Sequence, residues 1–517
     1  MHRRLTVLAL LIIAAAAALE DQSCRAAGGV LRIDVEDETR QQPCVAKIQL
    51  FRADGRPQLI RGAVAAGGGV VLKESVDLEL PDGSYQFLLT RGPEYRIVQG
   101  NFTLERTSQD ERTVKLPRMV DMKSEGWVAC DMAVPPNTSD LLLRMMAEDL
   151  HLACVVGEPT AATPIKFMPE NTTAYKPLWT SPHHAASNDE DLLFYQTKQA
   201  DNDFKIFPDE TSSHALERLT NDDSVKVAVV NPFAWSLPVW IASQQIDGFF
   251  VLGDWLREGK RVEKITAGRP PQMIGFDGPR GPGRYAETIY WNLLEAGLRI
   301  APLAGTGVRA GHGQPAAIGY NRLYTTLPKS DDRTTPGQSL SSAKACLEAV
   351  WAGHSVVSNG PMLRPLLDGH SPGHVFQGIA GEPLTLAMEL DLAVRDEVDY
   401  LEIIHNGRVF HSARLDEFAA ANGKLPQMII DQSGWALVRV VTRYEDHFRI
   451  ATSAPWYFEV GDQARISRHA VQFFGRWLVD YETRLRALPP AQLALHVPSV
   501  VAARKFWTQR LADATAE

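Results

Sequence analysis

Six polar residues each follow a short apolar run, which is where an active site would need them. Asp131 follows Trp127-Val128-Ala129-Cys130, Glu158 follows Val156-Gly157, and Asn231 follows Val230. Asp254 follows Leu252-Gly253, Thr306 follows Ala304-Gly305, and Asn359 follows Ser358. In an α/β barrel the C-terminal strand ends converge on one rim, so six polar ends there would line one polar pocket. Strand ends are also where solvent begins, and a fold rule gives position without chemistry. Asn321 and Arg322, within Gly319-Tyr320-Asn321-Arg322-Leu323-Tyr324, join the set as ligand-binding candidates. The glycine-rich turn 304–313, which carries His312, could cradle an anion with backbone N–H groups. It lacks the Gly-Lys-Ser/Thr ending of a P-loop, which makes a flexible turn the simpler reading.

A hydrolytic metal centre would need histidines, and the chain has 14. His151, His183, His184, His214, His312 and His354 fall in the strand–helix region, and no His-x-His or His-Glu-x-x-His occurs. His183 and His184 sit in a Pro/Ser loop, where exposure is the default. His151 and His354 each follow a helical pattern, where the helix dipole favours an imidazole without any metal. Asp131, with Glu148 and His151 close in sequence, is the best available metal set; Asp131 and His312 are the catalytic candidates. No Gly-x-Ser-x-Gly elbow is present, which disfavours a serine hydrolase.

The element that positions Asp131 reads as strand, loop, helix and strand. Pro135 and Pro136 forbid regular pairing after it, Asp140 is placed to cap the next helix, and 152–156 reads as a buried strand. Residues 120–365 continue this alternation, with apolar runs at 192–195, 225–230, 246–252, 300–303 and 355–357. Helical patterns fall at 139–150, 237–243, 284–296 and 341–351. Residues 159–224 are poor in apolar groups and read as a long excursion over one end of the barrel.

On either side the pattern changes to short alternating strands. Residues 29–118 read as a β-sandwich, with turns at Asp54-Gly55 and Pro81-Asp82-Gly83. Residues 380–460 read as a second β-module, with a hairpin signal at Asn406-Gly407. From 462 the tail is helical, with Val471, Phe474, Trp477 and Leu478 on one stripe.

A net charge of -9 and scattered Lys and Arg argue against nucleic acid as a partner. His2-Arg3-Arg4 followed by the apolar run 5–19 reads as a signal peptide, too short to span a bilayer, with Ala14 to Ala18 supplying a cleavage site. The expectation is export to the periplasm or the cell exterior, with no membrane attachment after cleavage. Cys24 and Cys44 could bridge in that compartment; the sequence does not decide it. Cys130 and Cys154 read as buried apolar residues.

Several motifs point the same way. They are Gly126-Trp127 with Asp131, Ala147-Glu148-Asp149-Leu150-His151, and Pro232-Phe233-Ala234-Trp235-Ser236. With them stand Gly297-Leu298-Arg299, Ala304-Gly305, Gly319 to Tyr324, and Val357-Ser358-Asn359-Gly360-Pro361. In these the chain resembles the exported carbaryl-hydrolase-type (CehA/McbA) branch of the PHP (polymerase and histidinol phosphatase) metallohydrolase superfamily, over most of its mature length. The resemblance implies a PHP-like distorted (β/α) barrel flanked by the N-terminal β-sandwich and the C-terminal β-module with its helical tail.

The departures fall on the chemistry. The branch's two metal-binding histidines of the first strand coincide with Ala133 and Pro135, a later one falls near Trp255, and the turn that supplies an acidic ligand reads Gly305-Thr306-Gly307. The leading expectation is a pseudoenzyme that has lost its metal ligands and kept a small molecule, polymer or partner in the barrel mouth. The alternative is an active hydrolase of ester, amide or phosphoester bonds. It would use a rebuilt zinc, manganese or iron centre drawn from Asp131, Glu158, Asp254, His312 and His183 or His184. A third reading is a cell-wall or glycan-binding protein.

Overall fold

A computed structural model describes residues 28–135, 138–157, 166–167, 178–180, 192–196, 210–219, 224–261, 265, 268–307, 317–326, 343–421 and 423–517. The leader, Cys24, Glu158, His183, His184 and His312 lie outside the described residues.

Alternation builds the N-terminal unit. Leu31, Ile33 and Val35 of one strand are buried between more exposed neighbours, and Ile48 and Leu50 of another are buried with Lys47 also covered on the opposite side. Gly28–Asp37 pairs antiparallel with Ser75–Pro81 and parallel with Gln109–Leu116. A second sheet runs Val64–Ala66, Gly69–Leu72, Ala46–Arg52, Gly83–Thr90, Val98–Leu104. The two sheets share one apolar core, as a sandwich does.

The central element is a mixed sheet of 16 strands. Ala301–Ala304, Gly248–Leu252 and Val225–Val229 run parallel, and Leu152–Gly157 is parallel to Trp127–Val134. Helices Leu237–Ala242 and Gly281–Glu295 make the crossovers that parallel pairing requires. Arg322–Thr326 and Ser355–Ser358 are antiparallel, and the sheet runs on through Ile450–Ser453 and Gly434–Thr442 to Val398–His405 and Arg408–Ala413. The β-module therefore shares hydrogen bonds with the strand–helix region.

The tail is helical, as its stripe predicts. Arg468–Leu485 buries Val471, Phe474, Trp477 and Leu478, and Pro490–Ala512 packs beside it. Phe474 stacks on Trp507 at 4.9 Å, and the Trp507 indole N–H donates to the Pro238 carbonyl at 2.9 Å. Two local expectations change. The strand carrying Asp131 does not stop there but continues to Val134 with every residue buried. Asp140 stands at the helix start with φ 52° and makes no capping hydrogen bond with its side chain.

Candidate functional site

Asp131 is fully buried, and its carboxylate is surrounded by donors. Oδ1 accepts from the Ala133 and Thr306 amides at 3.1 and 2.9 Å. Oδ2 accepts from the Gly319 amide at 2.8 Å and from the Thr306 hydroxyl. A register shift between Asp131 and Val134 turns the Ala133 amide out of the ladder and onto the carboxylate. Gly305 allows the other approach: a Cβ there would stand 2.6 Å from the Ala133 nitrogen and 2.8 Å from Asp131 Oδ1. A carboxylate has about four lone-pair sites, and four donors occupy them. Burial lifts the Asp131 carboxyl above its ordinary pKa, against the pull of these hydrogen bonds.

A divalent metal does not fit this set. Asp131 has no lone pair left to donate, and Ala133 and Pro135 have no donor atoms. Trp255 is buried edge-on against Phe233. Among the described residues no three His, Cys, Asp or Glu side chains converge to hold a metal.

Glu148 and His151 are engaged elsewhere. Lys47, from the N-terminal sandwich, donates to Glu148 Oε1 at 2.8 Å and to Glu258 at 2.9 Å. Arg322 donates to the Glu148 carbonyl at 3.0 Å and lies 3.4 Å from its carboxylate. The sandwich docks closely here, since a Cβ on Gly92 (φ +53°) would stand 2.3 Å from the Glu148 carbonyl oxygen. The His151 Nδ1 accepts from the Ala129 amide at 3.1 Å, and burial holds its pKa down to about 4. It is a neutral imidazole that fastens the strand.

The remaining candidates fasten loops. Asn231 Oδ1 accepts from the Phe233 amide at 3.0 Å. The Asn321 amide donates to the Gly253 and Leu256 carbonyls, both at 2.8 Å, and so holds the turn that carries Asp254. Asp254 is half-buried and packs against Gly307. Asn359 bridges to Phe448 and Ile450 at 3.2 and 2.8 Å. The structure brings Asp131 to Thr306 and Asn321 to the Asp254 turn; it leaves Glu148 on a separate ion network, His151 on the Ala129 amide and Asn359 against the β-module.

Sequence reasoning missed a polar cluster beside Asn321. The Tyr320 hydroxyl lies 2.8 Å from His447 Nε2, and His447 is fully buried with a pKa pushed down to about 4 by burial. Arg449 lies over the rings of Tyr444 and Tyr320 at 4.8 and 5.8 Å. Its signal was Tyr444 to Arg449, an aromatic and charged stretch between two apolar runs, far in sequence from Tyr320.

No family model matches the chain, and no curated protein matches it. Among solved structures it is similar to the Bacillus anthracis TIE protein at 17% identity, over 21% of this chain and 19% of that one, with a TM-score of 0.15. It is similar to BcpA, the major pilin subunit of Bacillus cereus, at 14% identity over 18% and 30%, with a TM-score of 0.13. A Parabacteroides merdae β-glucuronidase aligns over 82% of this chain and 61% of its own at 9% identity and a TM-score of 0.16. The chain thus spans under a third of the first two proteins, and likenesses of this size carry no argument about fold or role.

Proposed function

We propose that this chain is an exported homologue of PHP metallohydrolases that no longer holds a catalytic metal. In this reading it binds a small molecule or polymer at the strand-end face. The observation that carries the reading is the Asp131 carboxylate, saturated by four protein donors beside Ala133 and Pro135. A ligand to a metal needs free lone pairs on several converging groups, and here the position is occupied by hydrogen bonds that join three separate segments. The return of the Ala301–Ala304 strand end onto Trp127–Val134, through Gly305 and Thr306, supports reading the curled sheet as a distorted PHP-like barrel. The basic start and apolar run 5–19 support export.

The test is metal content and turnover on the same preparation. Protein produced with zinc, manganese and iron supplied should carry well under one equivalent of each by plasma mass spectrometry. It should leave a panel of esters, amides and phosphoesters intact. Stoichiometric metal, or turnover that a chelator abolishes, overturns the proposal.

A further inference from the structure

We infer that the cavity between the end of the Gly281–Glu295 helix and the β-module is a binding site for a neutral, hydroxyl-rich ligand, a small sugar or cyclitol. The cavity holds about 330 Å³, within the range of about 300–1,000 Å³ found for small-molecule sites. Four contacts close a ring around it. The Trp435 indole N–H donates to Glu295, at the helix end, at 2.9 Å. Gly434 and Trp435 pair in register with Phe458 and Tyr457 on the next strand. Arg299 is paired with Glu459 on that strand and lies over the Tyr457 ring at 4.9 Å. The chain then turns back, and the Arg465 carbonyl oxygen stands 3.0 Å from where a Cβ on Gly297 (φ +77°) would be. Arg299, Trp435, Tyr457, Glu459, Asp462 and Arg465 all line the space so enclosed.

The charges around the cavity select against ions. Arg465 holds Glu295 with Nη2 at 3.1 Å, and Arg299 holds Glu459, whose other oxygen accepts from Gln377 at 2.6 Å. An anion would have to displace a carboxylate from a guanidinium, and a cation would have to displace a guanidinium from a carboxylate. Either exchange leaves a charge without its partner. Asp462 is exposed, where solvent screens it. A hydroxyl group needs no such exchange, because it donates to a spare lone pair and accepts from a spare N–H at once. The Tyr457 hydroxyl has no protein partner among the described residues and offers both roles itself. The ion pairs fix these groups before a ligand arrives, which lowers the ordering cost of binding. Half-buried Tyr457 and buried Trp435 present aromatic surface to the C–H face of a sugar. A second cavity, of about 220 Å³, shares Arg299 and Tyr457 with the first and gives a second sugar unit a place to lie.

This site stands apart from the proposed strand-end role. The second cavity includes Ala301 and Pro302, at the entry of the Ala301–Ala304 strand, whereas Thr306 meets Asp131 beyond its exit. The test is calorimetric titration of the full chain with D-glucose, N-acetyl-D-glucosamine, myo-inositol and cellobiose. Sodium acetate and methylammonium chloride serve as charged probes at fixed ionic strength. At least one neutral probe should bind saturably at one equivalent, with a dissociation constant of roughly 1 mM or tighter. Arg299→Gln should weaken that binding about tenfold. Tyr457→Phe, which keeps the ring and loses the hydroxyl, should weaken it several-fold. Arg504→Gln, on a guanidinium paired with Glu482 between the tail helices, should leave it unchanged. If Arg299→Gln fails to fold by circular dichroism, Tyr457→Phe decides. No saturable heat with any neutral probe, wild-type affinity in every cavity variant that folds, or tighter binding of a charged probe than of every neutral one overturns the inference. Each of these outcomes is independent of metal content, which tests the metal-free reading separately.

Discussion

Thr306 meets Asp131 twice, with its amide at 2.9 Å from Oδ1 and its hydroxyl on Oδ2. One residue thereby fixes both oxygens of a carboxylate 175 positions earlier in the chain. The arrangement ties a central strand to a strand at the edge of the sheet order and makes the Asp131 carboxylate a structural joint. Thr306→Val removes one donor and should cost about 1–3 kcal/mol. Asp131→Ala leaves the Ala133, Thr306 and Gly319 amides buried without an acceptor and should cost about 3 kcal/mol or more. Urea unfolding measures both. A loss for Asp131→Ala no larger than for Thr306→Val would contradict the joint.

Lys47 ties the sandwich to the strand–helix region, beside Arg91, which pairs with Asp149 at 3.0 Å. The two carboxylate partners of Lys47 raise its pKa above the usual lysine range despite burial. Lys47→Met should cost about 3–5 kcal/mol, because Glu258 and Glu148 lose a buried counter-charge. Glu148 keeps Arg322, so adding Glu258→Met should restore much of the loss. A double variant no more stable than Lys47→Met would mean that the pair is not the source of the stability.

How much of this was legible in the sequence follows from the range of each interaction. The tail helix could be read from Val471, Phe474, Trp477 and Leu478, because a stripe at helical spacing is a local property. The alternating strands of the sandwich were legible for the same reason. The fate of Asp131 was not. Its donors come from Thr306 and Gly319, and no local pattern reveals that a glycine and a threonine far along the chain will fill its lone pairs. Glu148 and His151 looked like companions of Asp131 by proximity in sequence. Their partners are Lys47, 101 positions away, and the Ala129 amide. The cluster of Tyr320, His447 and Arg449 likewise exists only once the β-module joins the central sheet.

Stability should fall toward both ends of the pH scale for different reasons. His151, His405 and His447 are each held near pKa 4 by burial, against 6.5 in the open chain. A depressed histidine contributes stability that is present above 6.5 and lost as pH falls toward 4, up to about 3 kcal/mol for each group. Glu94 acts with the opposite sign. Burial first, then Asp149, raises it to about 8 from 4.5, so its contribution is full below 4.5 and is lost as pH rises to about 8. Thermal melts from pH 4 to 9 should show His447→Gln flattening the acid limb and Glu94→Gln flattening the neutral-to-alkaline one. Parallel profiles for wild type and both variants would sink this account.

The tail helices should behave as part of the core. Trp507 is 3% exposed, stacks on Phe474, and donates to the Pro238 carbonyl at the start of the Leu237–Ala242 helix. That helix buries Leu237, Val239, Trp240 and Ile241, so its apolar faces depend on what covers them. Trp507→Ala leaves a large cavity and an unpaired carbonyl and should cost about 3–5 kcal/mol. Trp507→Phe keeps the stacking and loses the hydrogen bond, and should cost about 1–2 kcal/mol. Unfolding followed by tryptophan fluorescence and by far-ultraviolet circular dichroism should give coincident transitions in wild type. A tail that melted separately, with the sheet signal intact, would show the helices to be an appendage.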